Sequence, residues 1–281
     1  MQKNILAIQL SSVIGDYEAN KDKVKTLFLS ALNNGCKPDI VFLPEVWTLG
    51  WYTECFRQFA SKNSGALHFL CSLAKEYNVN IIGGSYVREV NGNYYNSCPV
   101  IDRNGNNLAF YDKIHLYSPD GEAKAVLSGD TPLIADIEGL KIGLSICYDI
   151  RFPELFRSYI AASDAPHLMV NLSAWPKTRR KQYDSMAHSR AVENQSYFLA
   201  LSQTGLIKDD VYNSGCSVLV APLGDTVAVL NEDEGYIYET VDTAIVSDVR
   251  NTYPNLENRK VNDFGFSPKI VKAGLDAKIS V

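Results

Sequence analysis

Apolar positions along this chain repeat with two periods, and switching between them predicts the elements. Residues 5–10 (ILAIQL) and 39–43 (DIVFL) are apolar runs of strand length. Between them, over 20–33, Val24, Leu27, Phe28, Ala31 and Leu32 fall on one helical stripe. Over 66–77, Leu67, Leu70, Leu73, Ala74 and Tyr77 do the same. A β-rich stretch begins at 81–87. Asn91-Gly92 and Asn104-Gly105 are hairpin turns by composition, so 85–111 is predicted to hold consecutive antiparallel strands. Further on, strands are predicted over 141–146, 167–171 and 197–202, with helices over 153–162 and 182–193 between them. Residues 216–221 and 226–230 flank Leu223-Gly224-Asp225 as a hairpin, and signals are weak after about Tyr253, where an extended tail is expected.

No Pro/Ser-rich linker interrupts this alternation, so one domain over 1–281 is expected. Strands and helices in turn, with hairpins among them, indicate an α/β fold with mixed sheets. About ten strands exceed what one flat sheet carries comfortably, which predicts two packed sheets.

Composition narrows the partners. The chain has 281 residues, 46% hydrophobic and 21% charged, and 27 Lys and Arg against 32 Asp and Glu leave a net charge of −5. The densest basic cluster is KTRRK at 177–181, read as a solvated turn, so a nucleic-acid partner is not expected. No apolar run approaches the ~20 residues of a membrane span. The first residues, MQKNILAIQLSS, read as a strand rather than a signal peptide. Cys36, Cys55, Cys71, Cys98, Cys147 and Cys216 form no CxxC pair and no zinc-site spacing with the four histidines. Free thiols in a reducing cytoplasm are expected.

Three apolar runs end in a reactive side chain. VFLPEVW delivers Glu45, FYDKIHL delivers Lys113, and SICYDIRFPE delivers Cys147. Sites in α/β folds gather at the C-terminal ends of strands, so a carboxylate, an ammonium and a thiol can converge there. An ordinary thiol, with a pKa of ~8.5, is mostly protonated at neutral pH and needs a base such as Glu45. Attack on a carbonyl creates an oxyanion, which Lys113 and the backbone N–H of Tyr148 are placed to stabilise. Taken singly, each residue has an ordinary reading as core cysteine, helix-start carboxylate or surface lysine.

Together, LPEVW, YDKIHL and ICYDIRFPELFR, with NLSAWP, SRAVENQSYFLA and GCSVLVAPLGD in order after them, resemble the nitrilase superfamily of carbon–nitrogen hydrolases. The resemblance spans nearly the whole chain. It implies a four-layer α-β-β-α sandwich, a Glu45–Lys113–Cys147 triad and a thioester intermediate, with no cofactor and no metal. It also implies a second glutamate after the lysine, for which Glu122 is the candidate. The motif set is most similar to the ω-amidase and Nit-type branch, whose substrates are short dicarboxylate monoamides. Such a substrate needs a cation at the pocket; Arg179 and Arg180 are the candidates, with Trp175 beside them. Other C–N substrates (an N-carbamoyl amine, deaminated glutathione, a nitrile) and a catalytically silent binding protein are the alternatives. His115 and His188 offer a Cys–His mechanism as the rival chemistry, although Glu45 already supplies a base. Arg151 and Glu154 are expected to hold the turn after Cys147. A homodimer is expected from the family and from Tyr236, Tyr238 and Tyr253 in the C-terminal third.

Overall fold

In the strand Ile40–Phe42, Ile40 and Phe42 join one buried cluster, and Val41 joins another. The same alternation runs through the strand Gln2–Gln9, where Ile5 and Ala7 face one way and Leu6 and Ile8 the other. A strand buried on both faces lies in the middle of stacked layers, which explains why these runs are continuously apolar. The computed structural model describes residues 1–62, 65–162, 164–259 and 268–273.

Among the described residues there are two seven-stranded sheets. In the first, Gly235–Asp242, Gln2–Gln9, Ile40–Phe42 and Asn80–Ile82 lie side by side, and Asn80–Ile82 pairs on to Asn93–Ile101. That long strand also pairs with Tyr86–Val90 and Asn107–Asp112. In the second, the order is Thr226–Val229, Val218–Val220, Tyr197–Ser202, Leu168–Ser173, Leu140–Ile146, Leu133–Ile137 and Lys269–Ala273. Its three central strands are parallel, and antiparallel neighbours flank them.

Helices cover the outer faces. Tyr17–Asn33 and Ala66–Tyr77 place Val24, Phe28, Leu70 and Leu73 on Leu6, Ile8 and Val41. Pro153–Ala161 and Arg180–Asn194 place Phe156, Tyr159, Tyr183 and Ala187 in the cluster of the second sheet, which continues to Ile5 and Phe42 of the first. The result is a four-layer α-β-β-α sandwich.

Predicted and observed elements agree through most of the chain, with ends moving by one to three residues as caps take hold. Asp16 caps Tyr17–Asn33 by accepting from the Ala19 N–H at 3.0 Å, so the helix starts three residues before the apolar stripe suggests. Asn91 and Gly92, at φ 51° and 80°, form the two-residue turn predicted for them. The strands Leu133–Ile137 and Gly235–Asp242 and the helices Phe56–Lys62 and Thr243–Thr252 were not predicted. Tyr236 and Tyr238, expected at an interface, are partly buried against the cluster that holds Tyr17–Asn33 and bond to Asn34 and Lys37. Much of the expected tail lies outside the described residues, but Lys269–Ala273 forms an edge strand parallel to Leu133–Ile137.

Candidate active site

Strand ends from both sheets deliver the reactive groups to one place. Glu45 lies three residues past Ile40–Phe42, Lys113 directly follows Asn107–Asp112, and Cys147 opens the turn Cys147–Arg151 after Leu140–Ile146. Glu122 starts the short helix Glu122–Ala125. Glu45, Lys113 and Glu122 have no exposed surface, and Cys147 keeps 7%.

Lys113 Nζ donates to Glu45 Oε1 at 2.9 Å and to the two Glu122 oxygens at 3.0 and 2.9 Å. Three further N–H groups serve the carboxylates. The Ala174 N–H reaches Glu45 Oε2 at 2.8 Å, and the Tyr117 N–H reaches Glu122 Oε2 at 2.6 Å. Asn96 Nδ2 donates to both residues, at 3.0 Å to Glu45 and 3.1 Å to Glu122. The ammonium also sits 5.0 Å from the Trp51 ring centre. Two carboxylates against one ammonium leave a single anion in excess, spread over these donors.

Burial raises the Glu45 pKa; Lys113 pulls it down and Glu122 pushes it up, with a net rise. Burial alone would lower Lys113, but Glu122 and Glu45 outweigh it and keep the ammonium charged. Burial also pushes the Cys147 thiol well above its ordinary value, the Glu45 charge adds to this, and Lys113 opposes it. The resting Cys147 side chain is therefore a thiol beside a carboxylate whose basicity burial has increased.

The elbow around Cys147 has an identifiable support. Cys147 has φ 46°, and Val46, next to Glu45, has φ 43°. Such conformations cost about 1–3 kcal/mol each and persist where surrounding bonds fix them. Buried Asp149 accepts from the Ile146 N–H at 2.9 Å, the Tyr111 hydroxyl at 2.7 Å and the His115 N–H at 2.8 Å, and lies 2.7 Å from His115 Nδ1. Asn171 Nδ2 donates to the Cys147 carbonyl at 3.3 Å. Val46 donates its N–H to Ser85 Oγ at 3.0 Å, and Gln203 Nε2 donates to the Glu45 carbonyl at 2.5 Å. This corrects the expectation that Arg151 and Glu154 hold the turn: Asp149 carries those bonds, Glu154 is exposed, and Arg151 faces the pocket. His115 is taken up by Asp149 and by a stacked Phe152 at 3.7 Å, and His188 by Asp184 and Thr226.

Cys147 borders a pocket of about 280 Å³, lined also by Trp51, Tyr117, Tyr148, Trp175 and Ile207. Arg179 lines it, whereas Arg180 does not. The cations on its wall differ in their partners. Lys208 pairs with Glu54 at 3.1 Å, and Arg179 donates to the Tyr117 hydroxyl. Arg151 donates to the neutral Gln182 side chain at 2.7 Å and lies 5.0 Å from the Trp175 ring centre. Trp175 is fixed in turn by stacking on Tyr183 and by donating to the Arg179 carbonyl at 3.0 Å. Sequence reasoning did not single out Asn96, Asp149, Trp51 or Lys208 for the site. Asn96 lies mid-strand with no reactive signature, and Trp51 and Lys208 reach the pocket only through the fold. Among the described residues, no group of three or more His, Cys, Asp or Glu side chains is arranged to hold a metal ion.

The Carbon-nitrogen hydrolase family matches residues 5–251. Omega-amidase NIT2 of Homo sapiens is 31% identical over 91% of this chain and 94% of its own. The 2-oxoglutaramate amidase of Paenarthrobacter nicotinovorans is 30% identical over 84% of this chain and 83% of its own. The crystal structure of Saccharomyces cerevisiae Nit3, a member of branch 10 of the nitrilase superfamily, superposes with a TM-score of 0.84 at 26% identity, covering 92% of this chain and 97% of that one. The chain belongs to the carbon–nitrogen hydrolase family and is an enzyme of that class. No helix among its described residues is long and apolar enough to cross a membrane.

Proposed function

We propose that this enzyme hydrolyses the terminal amide of a short monoamide whose other end is a carboxylate, as an ω-amidase, through a thioester on Cys147. The observation that carries the reading is the buried Lys113 held between Glu45 and Glu122 beside the Cys147 thiol. Glu45 takes the thiol proton as Sγ bonds to the amide carbon. Lys113 and the Tyr148 N–H stabilise the oxyanion. The C–N bond then breaks, and Glu45 returns the proton to the leaving nitrogen as ammonia departs. Water attacks the thioester while Glu45 takes a proton from it. The C–S bond breaks, Glu45 reprotonates the sulfur, and the acid leaves. Glu122 keeps Lys113 charged and oriented throughout.

Arg151 supports the anionic end of the substrate. Its bonded partner is a neutral amide, as that of Arg179 is a neutral hydroxyl, so a carboxylate at Arg151 gains a charge-assisted hydrogen bond without displacing an existing ion pair. Trp175, stacked on Tyr183, and Arg179 shape the remaining wall. The reading includes a homodimer working in the cytoplasm with no nucleic-acid partner; Ile245 and Tyr253, 45% and 50% exposed, are available for association.

Ammonia release from 2-oxoglutaramate, succinamate and butyramide tests the reading. A charge-assisted bond contributes about 1.5–3 kcal/mol, so kcat/KM for succinamate should exceed that for butyramide by about ten- to a hundredfold. Equal values would remove the anion-binding part and leave the amidase; no ammonia from any of the three would remove both.

A further inference from the structure

We propose that Asn96 is a positioning residue for the reaction: its amide bridges Glu45 and Glu122 and holds the general base in its proton-accepting form. The inference rests on the reading of Glu45 as the base.

Asn96 lies on the strand Asn93–Ile101 with no exposed surface. Each proton of its Nδ2 is directed at a different carboxylate, at 3.0 Å to Glu45 Oε1 and 3.1 Å to Glu122 Oε1. Its backbone carbonyl accepts from the Lys113 N–H at 2.9 Å, so one residue fixes the backbone of the lysine and the side chains of both its partners. The carbonyl oxygen of the same amide is buried without a hydrogen-bond partner among the described residues. Leaving a buried acceptor unmatched is unfavourable, and buried amides ordinarily avoid it. Turning the amide over would not relieve it, because the oxygen would then face two carboxylate oxygens. The arrangement sacrifices one bond to present both protons to the site.

Hydrogen bonds donated to a carboxylate favour its charged form. The titratable groups facing Glu45 are Lys113, Glu122, Cys147 and, from the helix Arg180–Asn194, Tyr183. Of these, Glu122 and burial oppose ionisation of Glu45 and Lys113 favours it, so loss of the amide leaves the ammonium as the main support. Asn96→Leu, which keeps the branched shape of the side chain without its polar atoms, should therefore move the acid limb of activity to higher pH, by about one unit. Asn96→Asp, of the same size, places a third ionisable carboxyl against the other two. It should lose activity as pH rises, on the opposite limb.

The experiment measures, against pH, kcat/KM and the rate of Cys147 alkylation by iodoacetamide for wild type, Glu45→Gln, Asn96→Leu, Asn96→Asp and Asn194→Leu. Asn194 is another buried asparagine whose oxygen is unmatched among the described residues; its Nδ2 donates to the Arg190 carbonyl, and it does not line the pocket. The expected result is a loss in Asn96→Leu of about tenfold on the acid limb that disappears at alkaline pH, with Asn194→Leu retaining the wild-type profile. If Asn96→Leu does not fold, the falling alkaline limb of Asn96→Asp carries the test. A uniform loss at every pH in both Asn96 variants, with the limbs unmoved, would overturn the positioning role and leave the base intact. An acid limb that survives in Glu45→Gln would overturn the base assignment, and the positioning role with it.

Discussion

Lys113→Met keeps an unbranched side chain and removes the ammonium from between two buried carboxylates. Three N–H donations at 2.9–3.0 Å are lost together. Removing one partner of a buried ion pair typically costs about 3–5 kcal/mol, because the remaining charge has nowhere to go. Here it can go partly: one carboxyl takes a proton and the pair shares it. That proton sets the sign of the pH dependence. An unfolded glutamate titrates near ~4.3. In the folded variant the shared proton stays on well above that, so the folded state binds more protons than the unfolded chain. Stability then falls as pH rises, by about 1.4 kcal/mol per pH unit while one extra proton is held. Wild type shares part of this slope, since Glu45 is already raised. The deficit of the variant should therefore be smallest near pH 5 and wider by about 2 kcal/mol or more at pH 8. Urea titrations of both proteins across that range measure it. A deficit that stays constant or narrows with rising pH would refute the account of the cluster as two carboxylates competing for one cation.

Other expectations follow from the same geometry. Glu45→Gln and Lys113→Met should each lower kcat by about 10²–10³, and the double variant should be scarcely worse, because the residues act as a unit; multiplicative losses in steady-state kinetics would separate their roles. Arg151→Gln should raise KM for succinamate about tenfold or more while leaving butyramide unchanged, and Arg180→Gln should alter neither, as kinetics with the two amides will show. Asp149→Asn replaces an acceptor of several bonds at the elbow and should cost about 2–4 kcal/mol of stability together with most of the activity, read by thermal melts and ammonia release. Light scattering at micromolar concentration should give twice the chain mass, and a monomer would remove the dimer.

How much of this was legible in the sequence depended on whether a residue acts through its own type or through its place. Glu45, Lys113 and Cys147 stand out because apolar runs end at them, and two packed sheets were expected from the number of strands, whereas the four layers came with the family resemblance. Glu122 required the family resemblance, since a glutamate in a polar loop has no signature of its own. The choice between Arg179 and Arg180 could not be made by spacing: it depends on which side of a short turn faces the pocket, and there Arg179 lines it and Arg180 does not. Asp149 carries the same unit charge as Arg151 and Glu154 beside it, and although the Ile146 N–H is local, its partners Tyr111 and His115 are reached only once the two sheets are stacked. The strand Leu133–Ile137 was missed because its turn, Glu138 at φ 51° and Gly139 at φ 90°, lacks the Asn-Gly pair that marked the first hairpin.

The central claim is that Cys147 carries the acyl group. Enzyme mixed with 2-oxoglutaramate and quenched in acid within milliseconds should gain the mass of the substrate less ammonia, on the peptide that contains Cys147. Hydroxylamine added during turnover should divert the same acyl group to a hydroxamate. Ammonia released with no mass gain on that peptide and no hydroxamate would contradict a thioester at Cys147 and point to direct attack by water.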